Sequence, residues 1–183
     1  MESRTSGLTL RVEPELQSPP MTKTVSLLFV CTGNICRSPT AEAVVHAFLH
    51  KAALQQRVRV DSAGTHDYHV GHQPDRRATA HARRRGYDLS TLRARQVTQG
   101  DVTAFDLLLA MDRSHLEFLR RMSPEEHHAK LRLFLDFAGL RDADVPDPYY
   151  GGDEGFEQVL DMVEAAARGL VAHVQTYLLR VST

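Results

Sequence analysis

Residues 30–39 read VCTGNICRSP, Val30 to Pro39. An apolar, β-branched run, TVSLLFV over about Thr24 to Val30, leads into this stretch, and a helix-like pattern, PTAEAVVHAFLHKAAL, leaves it. The first reads as a strand buried on both faces. In the second, Ala43, Val44, Ala47, Phe48 and Ala52 recur at helical spacing, with Pro39 suited to the first helical position and Ser38 to the cap before it. Strand, tight polar loop and helix N-terminus together make an anion site, because backbone N–H groups converge there and the helix dipole favours negative charge.

The loop's own residues extend that reading. Its pattern is C-x5-R-S, Cys31 to Ser38. Converging amides, a helix dipole and a guanidinium all favour the thiolate form of a cysteine at the mouth of such a nest. Arg37 can fold back and clamp two oxygens of a phosphate with its fork of donors. Ser38 can donate to the thiolate, and Gly33 and Asn34 are residue types that tolerate positive φ in a tightly curled loop. Cys31 is thus placed to attack a phosphorus held by Thr32, Gly33, Asn34, Ile35, Cys36, Arg37 and Ser38. The chain contains neither GxxxxGK[ST] nor GxGxxG. GGDEG at Gly151 to Gly155 follows no strand and carries two acids, so it reads as a turn into the last helix.

Working outward, RVRVDSAG (about Arg57 to Ala63) predicts a second strand, and the loop THDYHVGHQP follows it. DRRATAHARRRG reads as a polar helix ended by Gly86. DLLLAM (about Asp106 to Met111) predicts a third strand followed by a helix from about Arg113, and LRLFLDF (about Leu131 to Phe137) a fourth. Glu154 to Leu179 has the apolar stripe of a long amphipathic helix. Short buried strands alternating with helices predict an α/β three-layer sandwich, a four-stranded parallel sheet flanked by helices on both faces. Ligands of such sheets bind at the carboxyl ends of the strands. Asp147, in the loop after the fourth strand, falls on the same edge as Cys31 and is the candidate acid for a poor leaving oxide.

Composition narrows the function classes. The 183 residues, 42% hydrophobic and 25% charged, suit one globular domain. A net charge of -1 argues against wholesale nucleic-acid binding. No apolar run approaches the roughly 18 residues needed to span a bilayer. Residues 1 to about 22 read as a disordered tail, with Met21 a second candidate start, and 23–183 as the folded domain. The tail holds no secretory apolar segment, so a reducing, cytoplasmic setting is expected, in which two thiols five residues apart are reactive rather than structural.

VCTGNICRSP resembles the phosphate loop of the low-molecular-weight protein tyrosine phosphatases. DSAGT at Asp61, ARQV at Ala94 and DPYYGG at Asp147 are similar to later signatures of that family, so the resemblance runs from about Thr24 to the end. It implies hydrolysis of phosphotyrosine on proteins through a phosphocysteine, with Cys31 as nucleophile, Arg37 as phosphate clamp and Asp147 as general acid, and with no metal or cofactor. It implies that Asn34 orders the loop, and that Ile35, Tyr68 and Tyr149 wall a slot for an aromatic ring with Tyr150 at its rim. A related branch acting on phosphoarginine has threonine at the position of Ile35. Many members have a histidine where this chain has Leu92, so that histidine's hydrogen bond toward the loop is missing here. In the family a neighbour such as Cys36 can form a reversible disulfide with the nucleophile; the alternative is a small packed residue. In parts of the family the matching tyrosine pair is phosphorylated; here Tyr149 and Tyr150 read as pocket wall.

Other features have simpler readings. His46 and His50 have a metal-like spacing, but no glutamate follows His46 and no third ligand is evident; His66, His69 and His72 read as a polar loop near the site mouth rather than a metal site. Arg76, Arg77, Arg83, Arg84 and Arg85 form a basic face, solvated or attractive to acidic partners. A thiol redox enzyme of the arsenate reductase kind shares this fold and loop, but needs further cysteines downstream, and none follows Cys36. A non-catalytic phospholigand binder would be expected to lack Cys31 or Asp147.

Overall fold

The computed structural model describes residues 24–181. The tail expected over residues 1–22 lies outside them. Four strands, β1 (Val25–Cys31), β2 (Val58–Gly64), β3 (Leu107–Ala110) and β4 (Leu131–Leu133), form one parallel sheet in the order β2-β1-β3-β4. The helices are α1 (Arg37–Lys51), α2 (Arg76–Arg84), α3 (Gln99–Ala104), α4 (Arg113–Met122) and α5 (Asp153–Arg180).

Alternation along β1 builds the layers. Leu27, Phe29 and Cys31 face a core shared with Val44, Val45 and Leu49 of α1 and Val163, Ala167, Leu170 and Val174 of α5. Leu28 and Val30 face the opposite core, with Val102 of α3 and Leu116 and Leu119 of α4. Both faces of the central strand are therefore apolar, as a parallel sheet covered by helices requires. Every strand ends on the same edge, so Cys31, Gly64 and the residues following Ala110 come together there.

Three local expectations change. α1 begins at Arg37 with Cys36 as its N-cap, so Ser38 is a helical residue rather than the cap; its hydroxyl is engaged inside the loop, and Pro39 still lies in the first turn, where its missing N–H costs nothing. The fourth strand stops at Leu133 and continues as a 3₁₀ turn, Phe134–Ala138. Phe134 and Leu135 are consecutive yet both buried in the α5-side core, which a strand's alternation forbids and a tight turn allows. The short helix α3 was not expected. Asp101 caps it by accepting from the Thr98 backbone N–H at 2.7 Å.

α5 lies so close to the 3₁₀ turn that a Cβ on Gly169 would sit 1.7 Å from the carbonyl oxygen of Phe137. Helix propensity alone would make Gly169→Ala stabilising by about 1 kcal/mol. Overpacking of about 1–3 kcal/mol opposes it, and backbone against backbone belongs at the upper end. The expected net result is a loss of about 2 kcal/mol, read from urea denaturation midpoints.

Candidate active site

Cys31 ends β1 and is buried, and the chain then curls through residues 32–36 before α1 starts. The curl needs a left-handed residue, and Asn34 supplies it at φ 54°. Its side chain commits both its donors and its oxygen to the same task. Nδ2 donates to Ser38 Oγ (2.9 Å) and to Ser62 Oγ (2.8 Å), and Oδ1 accepts from the backbone N–H of Arg95 (2.9 Å). Leu92 packs partly buried against the α5-side core. The loop is thus held from Ser62 and Arg95 without a histidine at position 92. β2 approaches closely here: a Cβ on Gly64 would lie 2.7 Å from the carbonyl oxygen of Thr32, so only glycine fits.

These bonds orient the nucleophile's partner. Ser38 Oγ accepts from Asn34, so its own hydrogen is left to point at Cys31 Sγ, 3.0 Å away, or at the more distant Ala63 carbonyl, 3.4 Å away. A hydroxyl aimed at sulfur stabilises a thiolate.

Arg37 is buried and stretched between two acids. Nη1 donates to Asp112 Oδ2 at 2.9 Å and Nη2 to Asp147 Oδ2 at 2.8 Å. Asp112 caps α4, accepting from Ser114 Oγ and the His115 backbone N–H. Burial alone would raise its carboxyl, but these bonds and the charge of His115 hold it well below the usual carboxylate range. His115 Nε2 lies 2.8 Å from Thr32 Oγ1, while its Nδ1, 2.9 Å from Asp112 Oδ1, is not aligned for a hydrogen bond. Asp147 is half-exposed on its loop and accepts from the Tyr149 backbone N–H. That loop is tied to the sheet edge by Val145 N–H donating to the Met111 carbonyl at 2.8 Å.

Cys31, Thr32, Gly33, Ile35, Cys36, Arg37, Tyr68, Asp147, Tyr149 and Tyr150 line one open cleft of about 260 Å³, together with His69 of the polar loop expected near the site mouth. Tyr150 is 92% exposed and reaches it only at the rim. Cys36 is a free thiol packed with Ile35, Ala78 and Phe156. Burial, with the negative charge of Asp75 adding, pushes its thiol far up, so Cys36 is a poor nucleophile.

Behind the loop sits a residue the sequence did not flag. Glu42 of α1 accepts from Ser62 Oγ at 2.6 Å, completing a chain Glu42–Ser62–Asn34–Ser38–Cys31. Burial pushes its carboxyl up to about 7 from 4.5, with Ser62 and Arg95 opposing and Asp61 adding. A raised folded-state value means that the folded chain holds this proton longer than the unfolded chain. Stability from this group is therefore full below pH about 4.5 and is lost as pH rises to about 7. The loss is at most about 3 kcal/mol at 1.36 kcal/mol per unit. Glu42→Gln keeps an acceptor for Ser62. It should flatten the stability profile between pH 4.5 and 7, measured by urea denaturation beside wild type; identical profiles would show that Glu42 does not titrate there.

The chain matches the family model described as low molecular weight phosphotyrosine protein phosphatase over residues 26–178. It is 49% identical over 157 residues to a low molecular weight protein-tyrosine-phosphatase of Streptomyces coelicolor, covering 83% of this chain and 94% of that one. Among solved structures, a protein tyrosine phosphatase of Entamoeba histolytica matches with a TM-score of 0.80 at 39% identity, covering 84% of this chain and 98% of that one. A Drosophila arginine phosphatase matches with a TM-score of 0.75 at 31% identity, covering 81% and 96%.

Proposed function

Because the chain belongs to the low-molecular-weight protein tyrosine phosphatase family, we propose that it hydrolyses phosphotyrosine on proteins, and small aryl phosphates, through a phosphocysteine at Cys31. The observation that supports this most directly is the convergence of Cys31, Arg37 and Asp147 in one cleft with Tyr68 and Tyr149 on its wall.

The steps follow from the donors and acceptors described. The Cys31 thiolate attacks phosphorus while the bond to the tyrosyl oxygen breaks. Arg37 and the amides of residues 32–37 hold the equatorial oxygens, fixed dipoles aimed at charge that spreads in the transition state. Asp147 gives its proton to the departing phenolic oxygen. It then takes a proton from water, which attacks the phosphocysteine and restores the thiolate, releasing inorganic phosphate. Substrate phosphate replaces the Asp147 carboxylate on Nη2 of Arg37, whereas the partly buried Asp112 keeps Nη1 and the guanidinium plane in place.

The apolar Ile35 at the cleft wall suits an aromatic ring. Turnover of matched phosphotyrosine, phosphoserine and phosphoarginine peptides, in EDTA and reductant, tests the reading. Phosphotyrosine is expected to be hydrolysed at least about 10²-fold faster than phosphoserine, whose short stem leaves the ring-sized slot unfilled. Preference for phosphoarginine would move the assignment to the other branch, and turnover of none would end it.

A further inference from the structure

α2 has two faces of opposite character. On the inner face Ala78, His81 and Ala82 are buried. Arg85, just past its end, is neutralised by α5, bonding Glu157, Asp161 (2.7 Å) and Glu164 (3.3 Å). On the outer face Arg76, Thr79, Arg83 and Arg84 share one side of the helix and, with Ser90, line an open groove of about 560 Å³ over the buried Leu89.

The charges on that outer face are poorly matched. Among the described residues neither Arg76 nor Arg83 forms an ion pair, and Arg84 reaches Glu157 only at 3.9 Å. Asp88 lies near enough to Arg83 to be stabilised by it, but its carboxylate is bonded to the backbone N–H of Ser90. Residues 72–95 hold seven arginines against two aspartates in a chain whose net charge is -1. Helix stability accounts for part of this, since Arg83 and Arg84 lie in the last turn, where the dipole favours cations. It does not account for Arg76, which opens the helix, where the dipole repels a cation. Its neighbour Arg77 is offset by Asp75, and Arg76 is not.

The start of α2, the helix that carries the groove, also adjoins the cleft. The Asp75 backbone N–H, just ahead of α2, donates to the Ile35 carbonyl of the phosphate loop at 2.8 Å. Arg77 lies 5.4 Å from the ring centroid of Tyr149 on the cleft wall. From Arg76 to Arg83 the helix rises about 10 Å at 1.5 Å per residue, the length of about three residues of extended peptide.

We propose that this arginine groove is the docking surface for an acidic stretch of the phosphorylated protein substrate, a few residues from its phosphotyrosine. The proposal rests on the phosphotyrosine reading above. It deepens that reading by naming the sequence context the enzyme selects. The positive field raises the local concentration of acidic substrates and orients them, while the chemistry in the cleft is unchanged.

The test compares two phosphotyrosine peptides that differ only in flanking Glu and Asp against Gln and Asn. Wild type and the exposed double variant Arg76→Gln, Arg83→Gln are run with both, and p-nitrophenyl phosphate serves as a substrate without flanks. At low salt the acidic peptide is expected to have a roughly tenfold lower KM at equal kcat in wild type. That preference should shrink with added salt and collapse in the double variant, with p-nitrophenyl phosphate turnover unaffected. Equal KM for the two peptides at low salt, with both hydrolysed, would overturn the docking surface and leave the phosphatase reading intact. So would a preference that survives in the double variant. Equal KM together with arginine-dependent binding to phosphatidylserine vesicles would reassign the groove to a membrane surface. Failure to hydrolyse any phosphotyrosine substrate would overturn both readings.

Discussion

Cys31→Ser is expected to leave less than about one part in 10⁴ of wild-type turnover on a phosphotyrosine peptide. Serine fills nearly the same space at a buried position, so the fold should survive, and an unchanged thermal midpoint would show that it has. What disappears is the sulfur, a better nucleophile than a hydroxyl oxygen and a better leaving group when water opens the intermediate. The Ser38 hydroxyl, 3.0 Å from the sulfur, can stabilise a thiolate but cannot make an alkoxide out of an alcohol. Arg37 and the loop amides remain, so the variant should still bind the phosphopeptide. Binding without turnover, measured by calorimetry, separates loss of the nucleophile from loss of the site. A residual rate above about one hundredth of wild type would exclude Cys31 as the attacking atom.

Asp147→Asn is expected to slow hydrolysis of a phosphotyrosine peptide by about 10²- to 10⁴-fold. The loss should be much smaller with p-nitrophenyl phosphate, whose leaving oxide needs little help from a proton. The substitution should cost little stability, because the asparagine oxygen can still accept from Nη2 and Asp112 and the Val145 carbonyl still hold Nη1. A second effect follows from Nη2 of Arg37, which donates to this carboxylate at 2.8 Å. Asparagine is a neutral and weaker competitor for that donor, so inorganic phosphate should inhibit the variant at lower concentration than wild type. A uniform loss across good and poor leaving groups would point to positioning rather than proton transfer.

Much of this architecture was legible because its signals were local. The run into Cys31 is apolar on both faces, the stripe from Phe156 to Leu178 keeps helical spacing, and strand–helix alternation then leaves few topologies. β4 was read too long because LRLFLDF is apolar enough for a strand; only the packing of Phe134 and Leu135 on the same side shows the turn. α3 had a readable sign in Thr98 and Asp101, spaced as a cap, but six residues present little periodicity. In the cleft, residues contiguous with the C-x5-R pattern could be read as a unit. Asp112, His115, Glu42 and Ser62 could not. Asp112 and His115 look like an ordinary helix start, and their role depends on β3 ending beside β1. Glu42 looks like one more polar residue of α1, and nothing local says that it is buried against Ser62. A carboxylate directly after a strand on the ligand-binding edge was the available hint for Asp112.

The hydrogen bonding of Asn34 has a thermodynamic consequence. Its three bonds fasten the loop to β2, to α1 and to the segment at Arg95 before any ligand arrives. Ordering a flexible loop on binding would cost about 1–2 kcal/mol for each residue fixed. Here that entropy is surrendered when the chain folds, and phosphate meets a loop already tied in place. Binding of inorganic phosphate should therefore show a small heat-capacity change, and Asn34→Ala should return the ordering cost to the binding step as an entropic loss of affinity.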